Sequence, residues 1–257
     1  MSSDYAAMGA LRLEPQSISS QSARRHPLAA FTLLEGGDVF ERRGAPSSGS
    51  RLHATRWLER CVEIAPHGAD EAQVQQVRAD MVRQLSGNPT LVARMELARP
   101  IHVDLVPPKQ PLSRFGFPRG LPSTVSGLFW DRPDWKVARM ALRQEHLAED
   151  GHLVFHELAH AIYFLAFTEE ERALIHRLQL PVYRSRRAVD EVFAIYSERE
   201  FIPAFREPDL RAPGIYGLAR ARWDMRHVFT RFVRHLYHPD RPLPGAGFAA
   251  GDSGWLG

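Results

Sequence analysis

The pentapeptide His156-Glu157-Leu158-Ala159-His160 sits inside an apolar run from Leu153 to Phe167. Read as one helix, that run is apolar on nearly every side, the pattern of a central, buried helix. Burying two imidazoles and a carboxylate there costs on the order of several kcal/mol unless a partner compensates. Positions i and i+4 stack on one helix face, so His156 and His160 can reach a single metal ion. Glu157 lies about a quarter turn away, where its carboxylate can touch a water held by that ion. The spacing points to two zinc ligands and a general base, with a third ligand supplied from elsewhere. The competing reading is a polar core cluster satisfied without metal.

The position of the third ligand separates the classes of zinc hydrolase. A metzincin places a Gly and a third His within the next turn and a half, where this chain has Tyr163 and Phe164 to Ala166; that class is excluded. A gluzincin takes a Glu from a later helix. The segment Ala188 to Glu198 reads as such a helix, with Val189, Val192, Phe193 and Tyr196 on one stripe. Glu191 falls on the neighbouring stripe with Ala188, Ala194, Ile195 and Glu198, and the small Ala residues let the helix lie close to another. Asp190 is the rival ligand, shorter and about 100° away on the helix wheel. Asp190 or His176 on the metal would overturn the choice of Glu191.

H-E-L-A-H-A, followed after thirty-odd residues by Glu191-Val192-Phe193-Ala194, resembles the gluzincin metallopeptidases of the anthrax lethal factor type. Those carry H-E-x-x-H-A and a later E-F-F-A helix, and the clostridial neurotoxin light chains share the logic at another spacing. The resemblance covers roughly Leu128 to Ile202. It implies an α+β, zincin-like fold: a small mixed sheet above a central H-E-x-x-H helix, with a helical C-terminal part. It also implies a Zn2+ ion on His156, His160 and Glu191, with Glu157 polarising water. The chain departs from the family where a second acid should follow four residues after the ligand Glu, since Ile195 stands there. Support for a ligand His must come from elsewhere, Glu198 or a backbone carbonyl. The family also places a Tyr shortly before the ligand Glu to steady the oxyanion. Tyr183 is near that place, eight residues ahead, with Tyr196 and Tyr216 as weaker candidates.

At 44 % hydrophobic and 25 % charged residues, the 257-residue chain can build a substantial core. No apolar stretch reaches the length of a membrane span. A net charge of +3 does not suggest nucleic acid. The lone Cys61 rules out an intramolecular disulfide framework. It also lacks the strand motif that a peptide deformylase, another H-E-x-x-H enzyme, needs around its cysteine ligand. Of the 33 Lys and Arg residues only Lys109 and Lys136 are lysines. That bias fits a GC-rich genome, or a protein that works inside a host cell and avoids ubiquitination.

Residues 1–50 read as a flexible leader with no apolar signal region, ending in the linker Arg42 to Ser50. Phe31 to Leu34 and Val39-Phe40 could form a short docked strand. The expected location is the producer's cytoplasm, or outside it by a signal-peptide-independent route. A single catalytic domain is expected over residues 51–238, and an irregular tail over 239–257. Within the domain, Val74, Val77, Met81, Val82 and Leu85 predict a helix over 70–85. Asn88-Pro89 opens another to about Ala98. Ile101, Val103 and Leu105 alternate as a strand, and a Pro/Gly loop runs from Pro107 to Pro122. Strands at Thr124–Trp130 and Lys136–Leu142, joined by Asp131 to Asp134, form a hairpin placed to be the substrate-binding edge. Thr168 to Glu171 is a capping box. A last helix over 218–237 turns Trp223, Val228, Phe232, Val233 and Leu236 inward.

Among the other histidines, His152 lies one turn before His156, and His227 could approach the zinc-held water; His235 and His238 read as surface residues. The expected function is zinc-dependent hydrolysis of peptide bonds in a protein substrate, as in an exported bacterial effector or toxin. Two alternatives stand beside it: an inactive zincin-fold scaffold, and a hydrolase of a non-peptide amide.

Overall fold

The computed structural model describes residues 48–147, 151–179, 189–202, 230 and 232–239. Two helices and a strand lead in: α1 (Ser48–Cys61), β1 (Val62–Ala65) and α2 (Glu71–Leu85). The helix α3 (Pro89–Leu97) and strands β2 (Ile101–Val106), β3 (Gly127–Trp130) and β4 (Ala138–Arg143) follow. Then come α4 (His152–Ala161), a π-helix (Ile162–Ala166), α5 (Glu169–Gln179) and α6 (Val189–Phe201). The architecture is mixed, with one small four-stranded sheet and several helices, compatible with the α+β expectation.

The sheet order is β1-β2-β4-β3. β1, β2 and β4 run parallel, and β3 returns antiparallel along β4, pairing Gly127 with Leu142 and Phe129 with Met140. The hairpin forms as predicted, with shorter strands, and β3 is an edge strand. Alternation along β2 splits its side chains between two cores: Ile101, Val103 and Leu105 face the helices, while Val106 joins Leu112, Phe117 and Val125 behind the sheet. Asp104, buried on that far side, takes Arg139 and His67, each at 2.8 Å.

Local chemistry sets the helix starts. Asp70 accepts from the Gln73 N–H at 2.7 Å, and Gln73 answers with its own side chain, a capping box. Asn88 caps the Thr90 and Leu91 N–H groups, with Pro89 in the first turn. Thr168 and Glu171 bond reciprocally at 3.2 and 2.8 Å. Three boundaries differ from expectation. Ser48 to Ser50 belong to α1 rather than to a linker, because Ala54, Trp57 and Leu58 dock the helix in the core. β1 is not legible in the sequence; four residues carry too little alternation, and pairing with β2 creates the strand.

The third difference concerns the central helix. It is α-helical only to Ala161 and then widens into the π-helix. The wider turn sets Tyr163 and Phe167 against Phe193, with ring centroids 5.7 and 5.6 Å apart, and leaves Phe164 43 % exposed. Phe232, Val233 and Tyr237 of the last helix are buried, whereas Trp223, Val228, Tyr216 and His227 lie outside the described residues. So do the leader before residue 48 and the tail after 239. No helix among the described residues is long and apolar enough to cross a membrane.

Candidate metal centre

α4 and α6 pack against each other, and three ligand-type side chains meet between them. The ligand atoms of His156, His160 and Glu191 lie within 4.8 Å of one another. The Nε2 atoms of His156 and His160 are 3.1 Å apart, and the Glu191 carboxylate is 3.4 Å from the first and 3.7 Å from the second. Two donors on one tetrahedral ion with bonds of about 2.0–2.1 Å stand roughly 3.3–3.4 Å apart. The observed spacings bracket that value. Glu191 Oε2 is also buried and makes no hydrogen bond. The three side chains therefore fit a metal ion: they form a buried cluster that can hold one.

The charges point the same way. Burial opposes a charged His156, yet Glu198 and Glu191 beside it raise it well above its ordinary value. Burial likewise opposes a charged Glu191, but His160 and His156 bring it down to about 2. Burial lowers His160. A cluster that holds a proton on one imidazole and an anion opposite it favours positive charge at its centre.

Glu198 supplies the support missing at Ile195. Its Oε1 lies 2.6 Å from His156 Nδ1 and 3.0 Å from His152 Nδ1. It is seven residues after Glu191, two turns along the same face, and only 1 % exposed. Asp190 stands 3.8 Å from His160 Nδ1, on the side away from the cluster. His176 is not in the metal-holding group. Tyr183 lies outside the described residues. Tyr196 is buried in the core, five positions round α6 from Glu191, which puts it off the ligand face. His238 is half-buried beside Glu200, 3.7 Å away, rather than a surface residue.

Glu157 points to the other wall. It is 5 % exposed, and burial pushes its carboxyl up to about 7. The Phe129 N–H of the edge strand donates a hydrogen bond to it. Gly127 makes that approach possible: a Cβ there would stand 2.6 Å from Glu157 Oε1 and 2.6 Å from Leu153 Cδ1. A glycine inside a strand is the usual mark of close approach, and here that signal was readable in the sequence. Behind the site, Gln84 donates to the Phe155 carbonyl at 3.0 Å and to the Tyr237 hydroxyl at 3.2 Å, a buried link between residues too far apart in the chain for any local pattern to announce.

His152, His156, His160 and Phe164 recur every fourth residue along the chain, on a helical segment whose α4 part packs against both β3 and α6. No family model matches the chain, and neither the curated proteins nor the solved structures provide a match.

Proposed function

We propose that this chain is a zinc-dependent endopeptidase of the gluzincin type, with a zincin-like fold. His156, His160 and Glu191 hold the ion, and Glu157 is the general base. The observation that carries the reading is the convergence of both Nε2 atoms and the Glu191 carboxylate beside a buried Glu157. Two nitrogens and one carboxylate oxygen suit zinc, and three protein ligands leave a position open for chemistry.

A bound zinc ion supplies a Lewis acid for the scissile carbonyl and an acidified water. Glu157 takes a proton from the attacking water on its carboxylate and passes it to the leaving amide nitrogen. In the metal-free protein burial raises its carboxyl to about 7, and a carboxyl raised in this way is suited to taking and returning a proton near neutral pH. Glu198 holds His156 Nδ1, which keeps Nε2 aimed at the cluster. Tyr183 is the donor proposed for the oxyanion.

The edge strand favours a peptide as substrate. Arg143 N–H donates to the Ser126 carbonyl at 2.9 Å, so by antiparallel alternation Leu128 and Trp130 also bond towards β4. The Gly127 N–H and C=O and the Phe129 C=O then face outward, where an extended chain could pair with them, while the Phe129 N–H is held by Glu157.

Comparing newly formed protein termini in a proteome treated with zinc-loaded wild type or Glu157→Gln tests the reading. New internal termini with the wild type alone support it. None with either protein would sink it.

A further inference from the structure

We propose that Tyr237 is a positioning residue for the metal centre, whose hydroxyl ties the two ligand-bearing helices together from behind. The inference rests on the metal-holding part of the reading above and is independent of peptide hydrolysis.

Gln84, Ser197 and Tyr237 are fully buried polar side chains from α2, α6 and the last helix. Their hydrogens all run one way. The Gln84 amide gives one N–H to the Phe155 carbonyl at 3.0 Å and the other to the Tyr237 oxygen at 3.2 Å. Ser197 gives its own hydrogen to the Phe193 carbonyl at 2.8 Å. The Tyr237 hydroxyl, bonded to both Gln84 and Ser197, therefore donates to the Ser197 oxygen. One phenolic group thus completes a chain that runs from α4 through α2 and the last helix to α6.

Both ends of that chain lie next to the metal centre. Phe155 precedes His156 on α4, and Ser197 precedes Glu198 on α6. His156 and Glu198 meet on the other side, Nδ1 to Oε1 at 2.6 Å. The two helices are therefore linked twice, through Glu198 beside the ligands and through Tyr237 behind them. With the first link alone, α6 can pivot about it and carry Glu191 away from the two Nε2 atoms, now 3.4 and 3.7 Å from its carboxylate. Apolar contact between the helices is non-directional and tolerates small slips. A hydrogen-bonded chain of fixed length does not.

Tyr237 is itself held in place. Its ring meets Phe201 edge-on at 5.0 Å, and Phe201 stacks on Phe155 at 5.0 Å. Asn88 donates to the neighbouring Leu236 carbonyl at 2.7 Å. The Tyr237 carbonyl lies against Gly87, where a Cβ would stand 2.1 Å from its oxygen. Ring and backbone together leave the hydroxyl one position, between Gln84 and Ser197.

Metal binding separates positioning from plain stability. Wild type, Tyr237→Phe and Ser197→Ala, each as the full chain, are compared by chelator competition for Zn2+ and by the visible spectrum of the Co2+-loaded protein. Val92→Ala, a buried change in α3 outside the chain of hydrogen bonds, serves as the destabilised control. Tyr237→Phe and Ser197→Ala should each weaken zinc about tenfold, the lower end of the range for groups that orient a metal ligand, and should shift the Co2+ bands. Val92→Ala should melt lower yet keep the wild-type affinity and bands. Unchanged affinity and bands in Tyr237→Phe, or an equal loss in Val92→Ala, overturns the positioning role. Should Tyr237→Phe fail to fold, unchanged metal binding in Ser197→Ala overturns it instead. Wild type that takes up no zinc brings down the metal reading and this inference together. If the variants differ as expected while no peptide is cut, the inference holds and the peptidase reading alone falls.

Discussion

Glu198 places one carboxylate oxygen 2.6 Å from Nδ1 of His156, inside a region where Glu198 itself is 1 % exposed. That contact fixes which imidazole nitrogen is left for a metal. With Nδ1–H donated to Glu198, Nε2 is the nitrogen that turns to His160 and Glu191 and that a metal would take once its proton has left. Glu198→Gln should lower zinc affinity roughly 10–100-fold, the range for removing such a partner, with the fold retained. Competition against a chromogenic chelator measures it; unchanged affinity would show that His156 is oriented by something else.

Glu191 and Asp190 are neighbours in sequence with different outlooks. Glu191 faces both Nε2 atoms, whereas Asp190 sits 3.8 Å from His160 Nδ1. Glu191→Ala should leave two ligands and release zinc to a weak chelator. Asp190→Ala should keep a full equivalent of zinc under the same dialysis. Equal loss in both variants, read by atomic absorption, would contradict the ligand assignment.

Zinc and protons should compete at the cluster. In the metal-free protein His156 is raised well above 6.5 by Glu198 and Glu191 against the opposing effect of burial, so it is protonated at neutral pH. Metal uptake must displace that proton. Apparent affinity should therefore rise about tenfold per pH unit until the pH passes the raised value of His156. Calorimetry at pH 7 in buffers of different ionisation enthalpy should report about one proton released per zinc. The sign for stability follows. The raised His156 stabilises the metal-free fold below its ordinary value of 6.5, and this is lost as pH climbs through the raised one. Zero proton release would mean that His156 is already neutral.

Gly127→Ala tests how tightly the edge strand lies on Glu157, the proposed base. The new Cβ would meet Glu157 Oε1 and Leu153 Cδ1, each at 2.6 Å. Overpacking of this kind costs about 1–3 kcal/mol, and the displaced carboxylate should cut kcat by roughly 100-fold with zinc retained. A variant that melts at the wild-type temperature and turns over normally would refute the close approach.

Much of the site was legible because its chemistry is local. His156, Glu157 and His160 share two turns of one helix, so spacing alone sets their faces. Glu191 could be chosen over Asp190 from the neighbouring small residues, and Glu198 could be named as a possible support from its place on the same helix. Helix starts at Asn88 and Thr168 were equally readable, since a cap is a bond between residues two or three apart.

What the chain determined by itself, then, is a set of faces and ends: which residues share a stripe and where a helix begins. The tertiary structure decided what those faces meet. β1 exists because β2 lies beside it. The helix widens after Ala161, Tyr163 and Phe167 pack on Phe193, and Phe164 is left exposed. Glu198 serves His152 as well as His156, and Gly127 brings Phe129 onto Glu157. Each of these depends on side chains far apart in sequence, because packing is a long-range constraint that helical and strand periodicity does not encode.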